Sequence, residues 1–97
     1  MTQTRVFDAA RYLKNDEMIA LFLKETLETG TTSDFIQALN TVARAKGMTD
    51  LAEKTGIGRE SLYKTLSSEK PRLDTVFKII HALGLNISIT TNKTAVS

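Results

Sequence analysis

The stretch TGIGRESLYKTL, residues 55–66, decides the fold because it places two glycines around one isoleucine and then begins a short helical run. The residue just past a helix usually has a positive φ, a conformation that glycine adopts at the least cost. We therefore predict that Gly56 ends a short helix formed by DLAEKT and that a second helix begins after Gly58. Ala52, four residues before Gly56, is small enough to let the second helix approach the first.

The helix after the turn is predicted to have one buried and one exposed face. Helical spacing directs Leu62 and Leu66 inward, together with Ile57 from the turn. This order of alanine, glycine and apolar residues has the spacing of a helix-turn-helix unit. The predicted core of the unit is Ala52, Gly56, Ile57, Leu62 and Leu66.

The outer face of that helix carries Arg59, Glu60 and Lys64, which we predict to contact base edges in the major groove of double-stranded DNA. Arginine matches guanine O6 and N7, glutamate accepts from cytosine N4, and lysine binds guanine or a phosphate. The N-terminus of the helix adds a positive end toward phosphate. The candidates for contact with the DNA backbone are Arg44, Lys46, Thr49, Ser61, Tyr63, Lys70 and Arg72.

A second interpretation of these charges is open. Glu60 and Lys64 stand four residues apart, so they could form a solvent-exposed ion pair that contributes only about 0.2–0.5 kcal/mol. Each flanking cation, taken singly, could equally be an ordinary solubilising charge. The agreement between turn, buried positions and basic flanks favours DNA binding.

Helical patterns continue upstream of this unit. Asp8 and Asp16 are predicted to be the N-caps of two helices, AARYLK and EMIALFLKETLET, the second of which ends before Gly30. Ser33 is predicted to cap a third helix, DFIQALNTVARAK, which ends at Gly47. In the second helix, the apolar residues at helical spacing are Ile19, Phe22, Leu23 and Leu27.

Downstream, a longer helix is predicted between Pro71 and Gly84. Its predicted buried face consists of Leu73, Val76, Phe77, Ile80 and Leu83. Residues 85–91 then alternate apolar and polar side chains, which predicts a short β-strand. A strand needs a partner, and the predicted partner is either residues 4–7 or a second molecule.

Composition restricts the function classes. The 97 residues, 41% of them hydrophobic, suit a single domain, and they include no cysteine and one histidine, His81. We therefore expect no disulfide, metal site or cofactor, and a protein that is not an enzyme. The sequence has no signal-peptide pattern and no run of about 20 apolar residues, so we expect a cytoplasmic protein without a membrane span.

Charge is distributed unevenly along the chain. Residues 1–43 contain four basic and six acidic side chains, whereas residues 44–78 contain eight basic and five acidic ones. The basic part includes the helix-turn-helix unit. This asymmetry indicates a polyanionic partner, although an imbalance of this size carries little weight by itself.

A longer segment resembles a known family. Residues 43–85 resemble the lambda-repressor-like (Xre-type) helix-turn-helix domain; their sequence is ARAKGMTDLAEKTGIGRESLYKTLSSEKPRLDTVFKIIHALGL. The resemblance includes the motif at the end of the domain, P-x-L-x-T-V-x-K-I-x-x-A-L-G. With the upstream FDAARYLKNDEMIALFLKETLETG, residues 7–90 resemble the HigA-like addiction-module antidote proteins, which are antitoxins of type II toxin-antitoxin pairs.

The resemblance implies an all-α bundle of five to six helices, to which the alternation in residues 85–91 adds a short C-terminal β-strand. The single domain 1–97 then contains an N-terminal helical extension (8–30), an Xre-type core (33–84) and the strand (85–91). It also implies a homodimer that binds a RelE/ParE-superfamily toxin and represses its own operon at a DNA operator. The base-reading positions of the family fall on Arg59, Glu60 and Lys64.

The sequence departs from the Xre pattern at two places. Thr49 precedes Ala52 by only three residues and the usual phosphate-binding glutamine is missing, so the first motif helix is expected to be a turn shorter. Arg72 stands where a serine normally caps the last helix, and the missing cap is expected to cost about 1 kcal/mol. Both departures are expected to affect operator affinity more than fold.

Two other functions remain open from the sequence. The chain could be a stand-alone phage-type repressor without a toxin. It could also be a protein-binding module that uses the helix-turn-helix as a scaffold. Dimerisation is expected in the DNA-binding case, because a dimer reads two half-sites about 34 Å apart.

Overall fold

A computed structural model describes residues 15–91, and these residues are all-helical. The five helices are α1 (Asp16–Thr29), α2 (Thr32–Lys46), α3 (Met48–Thr55), α4 (Arg59–Ser67) and α5 (Leu73–Ala82). The predicted helical class is therefore confirmed for this part of the chain. The helix predicted after Asp8 and the segment 4–7 lie outside the described residues.

The first two helices begin at caps that differ from the predicted ones. The Asn15 side chain accepts hydrogen bonds from the backbone N–H groups of Glu17 (2.8 Å) and Met18 (3.3 Å), so Asn15, not Asp16, is the N-cap of α1. At α2, Thr31 caps in place of Ser33. The reason is reciprocal bonding: the Thr31 hydroxyl accepts from Asp34 N–H while the Asp34 carboxylate accepts from Thr31 N–H.

The core lies where α2 and α3 meet the other helices. Helix α1 packs on α2, α4 packs on both α2 and α3, and α5 packs on α3. The largest fully buried side chains come from all five helices: Ile19, Leu39, Val42, Leu51, Leu62 and Ile79. Each helix therefore contributes one apolar stripe to a shared core, and the opposite faces of the helices stay exposed.

The apolar face of α5 is only partly as predicted. Val76, Ile80 and Leu83 are buried, but Leu73 and Phe77 are 65% and 40% exposed. The described part of α5 packs mainly on α3, so a single narrow stripe is covered, and Ile79 belongs to it in place of Phe77. In α1, Leu27 is likewise exposed, because Ile19 and Leu23 already fill the contact with α2.

The predicted β-strand at residues 85–91 is wrong. None of these residues forms a strand ladder, and Ile87 and Ile89 are 43% and 93% exposed. A strand requires a neighbouring strand to bond its backbone, and residues 15–91 contain none. The chain turns at Gly84 (φ 85°), and after Leu85, which is half-buried against the core, it leaves the bundle.

Helix length also bears on the membrane prediction. Among the residues that the structure describes, no helix is long and apolar enough to cross a membrane.

Candidate nucleic-acid interface

The turn between α3 and α4 consists of three residues. Gly56 is left-handed (φ 75°, ψ 11°), and its N–H donates to Ala52 O at 2.9 Å, which closes the end of α3. The Thr55 hydroxyl donates to Leu51 O (2.7 Å) and accepts from Ile57 N–H (3.1 Å), which ties the turn to α3. Gly58, by contrast, has an ordinary φ of −63°, so only the first glycine is required by the backbone.

Helix α4 is anchored to the core by two leucines. Leu62 is fully buried and Leu66 is 3% exposed, while Ala52 and Ile57 pack half-buried against the same core. The start of α4 has no side-chain cap, and its first hydrogen bond from Leu62 N–H to Gly58 O is 3.0 Å long. The N–H groups of the first turn therefore have no acceptor within the helix and face outward.

The three predicted base-contacting residues lie on the exposed side of α4. Arg59, Glu60 and Lys64 are all exposed, as is Ser61 between them. The ion pairs formed within residues 15–91 include none of the three. In α3, Asp50 and Lys54 have the same spacing as Glu60 and Lys64, and they do pair at 3.1 Å. Glu60 and Lys64 therefore do not form the ion pair that the second interpretation of the sequence allowed.

An aromatic ring connects α4 with the end of α2. Tyr63 is half-buried, and the guanidinium carbons of Arg44 and Arg59 lie 5.0 and 6.0 Å from its ring centroid. The Arg44 Nε also donates to Asn40 Oδ1 at 3.2 Å. Two of the predicted DNA-contacting arginines are therefore brought to the same ring.

The flanking cations differ in their availability. Lys46 lies 3.6 Å from the Asp16 carboxylate of α1, and Arg72 Nε donates to Asp74 Oδ1 at 3.2 Å. The hydrogen bond from Arg72 holds the pKa of Asp74 below its usual value. Lys70 and Thr49 are exposed, and Thr49 is the second residue of α3.

A groove runs between α4 and the start of α5. It is lined by hydroxyl-bearing side chains and by four cations, Lys64, Lys70, Arg72 and Lys78, with a single carboxylate from Asp74. Lys78 was not among the site residues predicted from the sequence. The signal was present: Lys78 follows Asp74 by one helical turn, so both share the face toward α4.

No cluster of histidine, cysteine, aspartate or glutamate within residues 15–91 has the arrangement of a metal site. The concave surfaces of this part of the chain are open grooves, and the α4–α5 groove is the one lined by the predicted site residues. Its chemistry is that of a cationic, hydroxyl-rich surface, which suits an extended anion.

Comparison with known proteins agrees on one family. A family model described as "Probable addiction module antidote protein" matches residues 3–91. An uncharacterized protein of Haemophilus influenzae (strain Rd KW20) is 39% identical over 88 residues, which cover 90% of this chain and 91% of that protein. No solved structure matches the chain. The chain belongs to the family of probable addiction module antidote proteins.

Proposed function

We propose that the protein is a sequence-specific DNA-binding repressor that acts as the antitoxin of a type II toxin-antitoxin module. One observation carries the DNA-binding part: Arg59, Glu60 and Lys64 stand exposed on a helix anchored by Leu62 and Leu66, and the ion pairs among residues 15–91 include none of the three. Unpaired charges of both signs on the first turns of such a helix are what reading of base edges requires. The resemblance of the sequence to Xre-type, HigA-like domains supports the assignment of α4 as the recognition helix.

The DNA backbone is proposed to lie across the uncapped start of α4 and the groove between α4 and α5. The N–H groups at the helix start offer donors to a phosphate, and Lys64, Lys70 and Lys78 supply positive charge along the groove. Ser61 and Tyr63 flank the same face. Lys46 and Arg72 contribute less, because each already faces a carboxylate.

Operator affinity is proposed to be moderate. Helix α3 has only eight residues, and neither α3 nor α5 begins with a side-chain cap. Within α3, the phosphate contact that an Xre domain makes before the motif alanine is therefore proposed to rest on Thr49. A protein with fewer phosphate contacts depends more on a second subunit for affinity.

The partner is proposed to be a toxin of the RelE/ParE superfamily, bound in the cytoplasm. Membership of the antidote family supports the existence of a toxin partner. A homodimer is proposed as the DNA-bound form, and the exposed Leu73 and Phe77 on α5 support self-association. Light scattering after size-exclusion chromatography tests this, and a monomer at tens of micromolar contradicts it.

A salt titration tests DNA binding. The DNA immediately upstream of the protein's own gene and a random duplex of equal length are titrated between low and physiological salt. With about six phosphate contacts, the logarithm of the binding constant falls with a slope near −5 against the logarithm of salt concentration, and the upstream DNA binds more tightly. Salt-insensitive or undetectable binding favours the protein-binding scaffold instead.

Co-expression with the product of the adjacent reading frame tests the antitoxin part. A stable complex and relief of growth inhibition support it. If the protein binds its upstream DNA but neither binds nor neutralises the neighbouring product, it is a stand-alone repressor.

A further inference from the structure

Tyr63 occupies a position that DNA contact alone does not explain. It is half-buried on α4, one helical turn after Arg59, and its ring also meets Arg44 from the end of α2. Arg44 lies on α2 and Arg59 on α4, 15 residues apart in the chain, and the Tyr63 ring contacts both guanidinium groups. A ring shared by two cations constrains both at once.

Arg44 is the more tightly held of the two. Its guanidinium carbon lies 5.0 Å from the Tyr63 centroid, well within the range of a cation–π contact, and its Nε donates to Asn40 Oδ1 at 3.2 Å. The Nε bond leaves the two terminal nitrogens of Arg44 to other acceptors. Arg59 lies at 6.0 Å, the outer limit of the interaction, so the ring restricts it less.

Neither arginine forms an ion pair with a carboxylate of the described residues. The ion pairs within residues 15–91 involve Lys46, Lys54 and Arg72, not Arg44 or Arg59. A guanidinium held by a ring and an amide keeps its full charge for an external anion, whereas one held by a carboxylate is largely neutralised.

We propose that Tyr63 is a positioning residue that fixes the guanidinium of Arg44, as a phosphate contact, relative to that of Arg59, as a base contact. This inference rests on the proposed DNA-binding function. The inference means that α2 takes part in the DNA interface. It also means that the Tyr63 ring sets the position of the phosphate contact of Arg44 relative to the base contact of Arg59. Arginine side chains otherwise lose considerable rotamer freedom on binding, and a pre-held guanidinium loses less.

The experiment compares Tyr63→Phe with Tyr63→Leu in the full chain. Phenylalanine keeps the ring and leucine removes it, while both keep an apolar side chain against the core. Operator affinity is expected to be about 2- to 5-fold lower per arginine contact in Tyr63→Leu than in Tyr63→Phe, because only phenylalanine keeps the ring. Thermal unfolding of each variant monitors the fold. Arg44→Lys serves as a second variant that leaves the core untouched: it keeps the charge and the salt slope but loses affinity, because an ammonium cannot stack as a planar group.

A double-mutant cycle distinguishes a positioning role of Tyr63 from a purely structural one. Arg44→Ala and Arg59→Ala are expected to be non-additive in the unaltered protein and additive in the Tyr63→Leu background. In the free protein, ring-current shifts of the Arg44 side-chain protons in NMR spectra are expected to persist in Tyr63→Phe and vanish in Tyr63→Leu.

Three results overturn the proposal. Absent ring-current shifts at Arg44 overturn the stacking itself, whatever the DNA result. Equal operator affinity of the phenylalanine and leucine variants overturns the positioning role while DNA binding stands. No operator binding by the unaltered protein overturns the proposed function and this role together.

Discussion

The guanidinium of Arg72 donates to the carboxylate of Asp74 through two nitrogens, Nε to Oδ1 at 3.2 Å and Nη2 to Oδ2 at 3.3 Å. The pair stands at the start of α5, on the wall of the cationic groove. The pKa of Asp74 lies below its usual value because of this hydrogen bond. The guanidinium of Arg72 thus already has a carboxylate partner on the wall of the groove.

Replacement of Asp74 by asparagine releases Arg72. We expect Asp74→Asn to bind operator DNA about 3- to 10-fold more tightly at low salt and to steepen the salt slope by up to about one unit. Fluorescence anisotropy at several salt concentrations measures both. Glu28→Gln on α1 is the matched control, since it removes one exposed negative charge outside the groove. An equal gain in both variants would mean that only net charge matters.

A related dependence on pH follows from the same pair. The folded pKa of Asp74 is lowered, so its contribution to stability is present above the unfolded pKa and is lost as pH falls through the folded pKa. We expect the difference in melting temperature between the unaltered protein and Asp74→Asn to be small at pH 7, because both partners are exposed, and to disappear at strongly acidic pH. Calorimetry across the acidic range checks the sign.

Substitutions of the two glycines of the turn, Gly56 and Gly58, form a matched pair for a test of stability. A Cβ atom added at either Gly56 or Gly58 meets nothing within 4 Å, so steric crowding is the same and only the backbone differs. Because Gly56 has φ 75°, Gly56→Ala is expected to lower the free energy of unfolding by about 1–2 kcal/mol. Gly58→Ala, at φ −63°, is expected to change it by less than about 0.5 kcal/mol.

Urea denaturation measures both variants. Equal destabilisation would show that the left-handed conformation of Gly56 does not hold the turn. The same variants extend to function: a turn that shifts α4 also moves Arg59, so Gly56→Ala is expected to weaken operator binding more than Gly58→Ala does.

The N-cap of α2 offers a second test of stability. Thr31→Ala removes a capping box and is expected to lower the free energy of unfolding by about 1 kcal/mol, or the melting temperature by about 4–8 °C. Ser33→Ala, two residues later inside the first turn of α2, is expected to be nearly neutral. Thermal unfolding followed by circular dichroism compares them, and the reverse order would restore Ser33 as the cap.

Base reading is tested at Arg59. Arg59→Ala is expected to relax preference at one base position at a cost of about 1–3 kcal/mol, with folding intact because the side chain is exposed. Selection from a randomised operator library measures the preference. Lys24→Ala, which removes an exposed cation from α1, is the control. Unchanged specificity in Arg59→Ala would assign base reading to other residues.

The sequence predicted most of the helical architecture and the composition of the α4 face. Local signals suffice for these features: Gly56 needs no tertiary contact to favour a left-handed turn, and the period of Leu62 and Leu66 defines the inner side of α4. The charged residues Arg59, Glu60 and Lys64 then lie on the outer side of the same helix.

Other features depended on how the helices pack. The apolar period of α5 continues through Leu73 and Phe77, but burial is decided by the width of the neighbouring helix, and α3 covers only the stripe through Ile79. The alternation in residues 85–91 likewise predicted a strand, yet a strand exists only beside another strand. The caps at Asn15 and Thr31, by contrast, do not depend on packing, because their hydrogen bonds reach only two or three residues along the chain.

The sequence by itself determined the sites of the turns, the inner and outer faces of α4 and the excess of positive charge after residue 43, because each of these depends on residues close together in the chain. Only the tertiary structure decided which charges are available. It pairs Arg72 and Lys46 with carboxylates, leaves Glu60 and Lys64 apart, and brings Arg44 to Tyr63. The Lys46–Asp16 and Arg44–Tyr63 contacts join different helices, and no pattern along the chain contains those distances, whereas Arg72 and Asp74 are close neighbours in the chain.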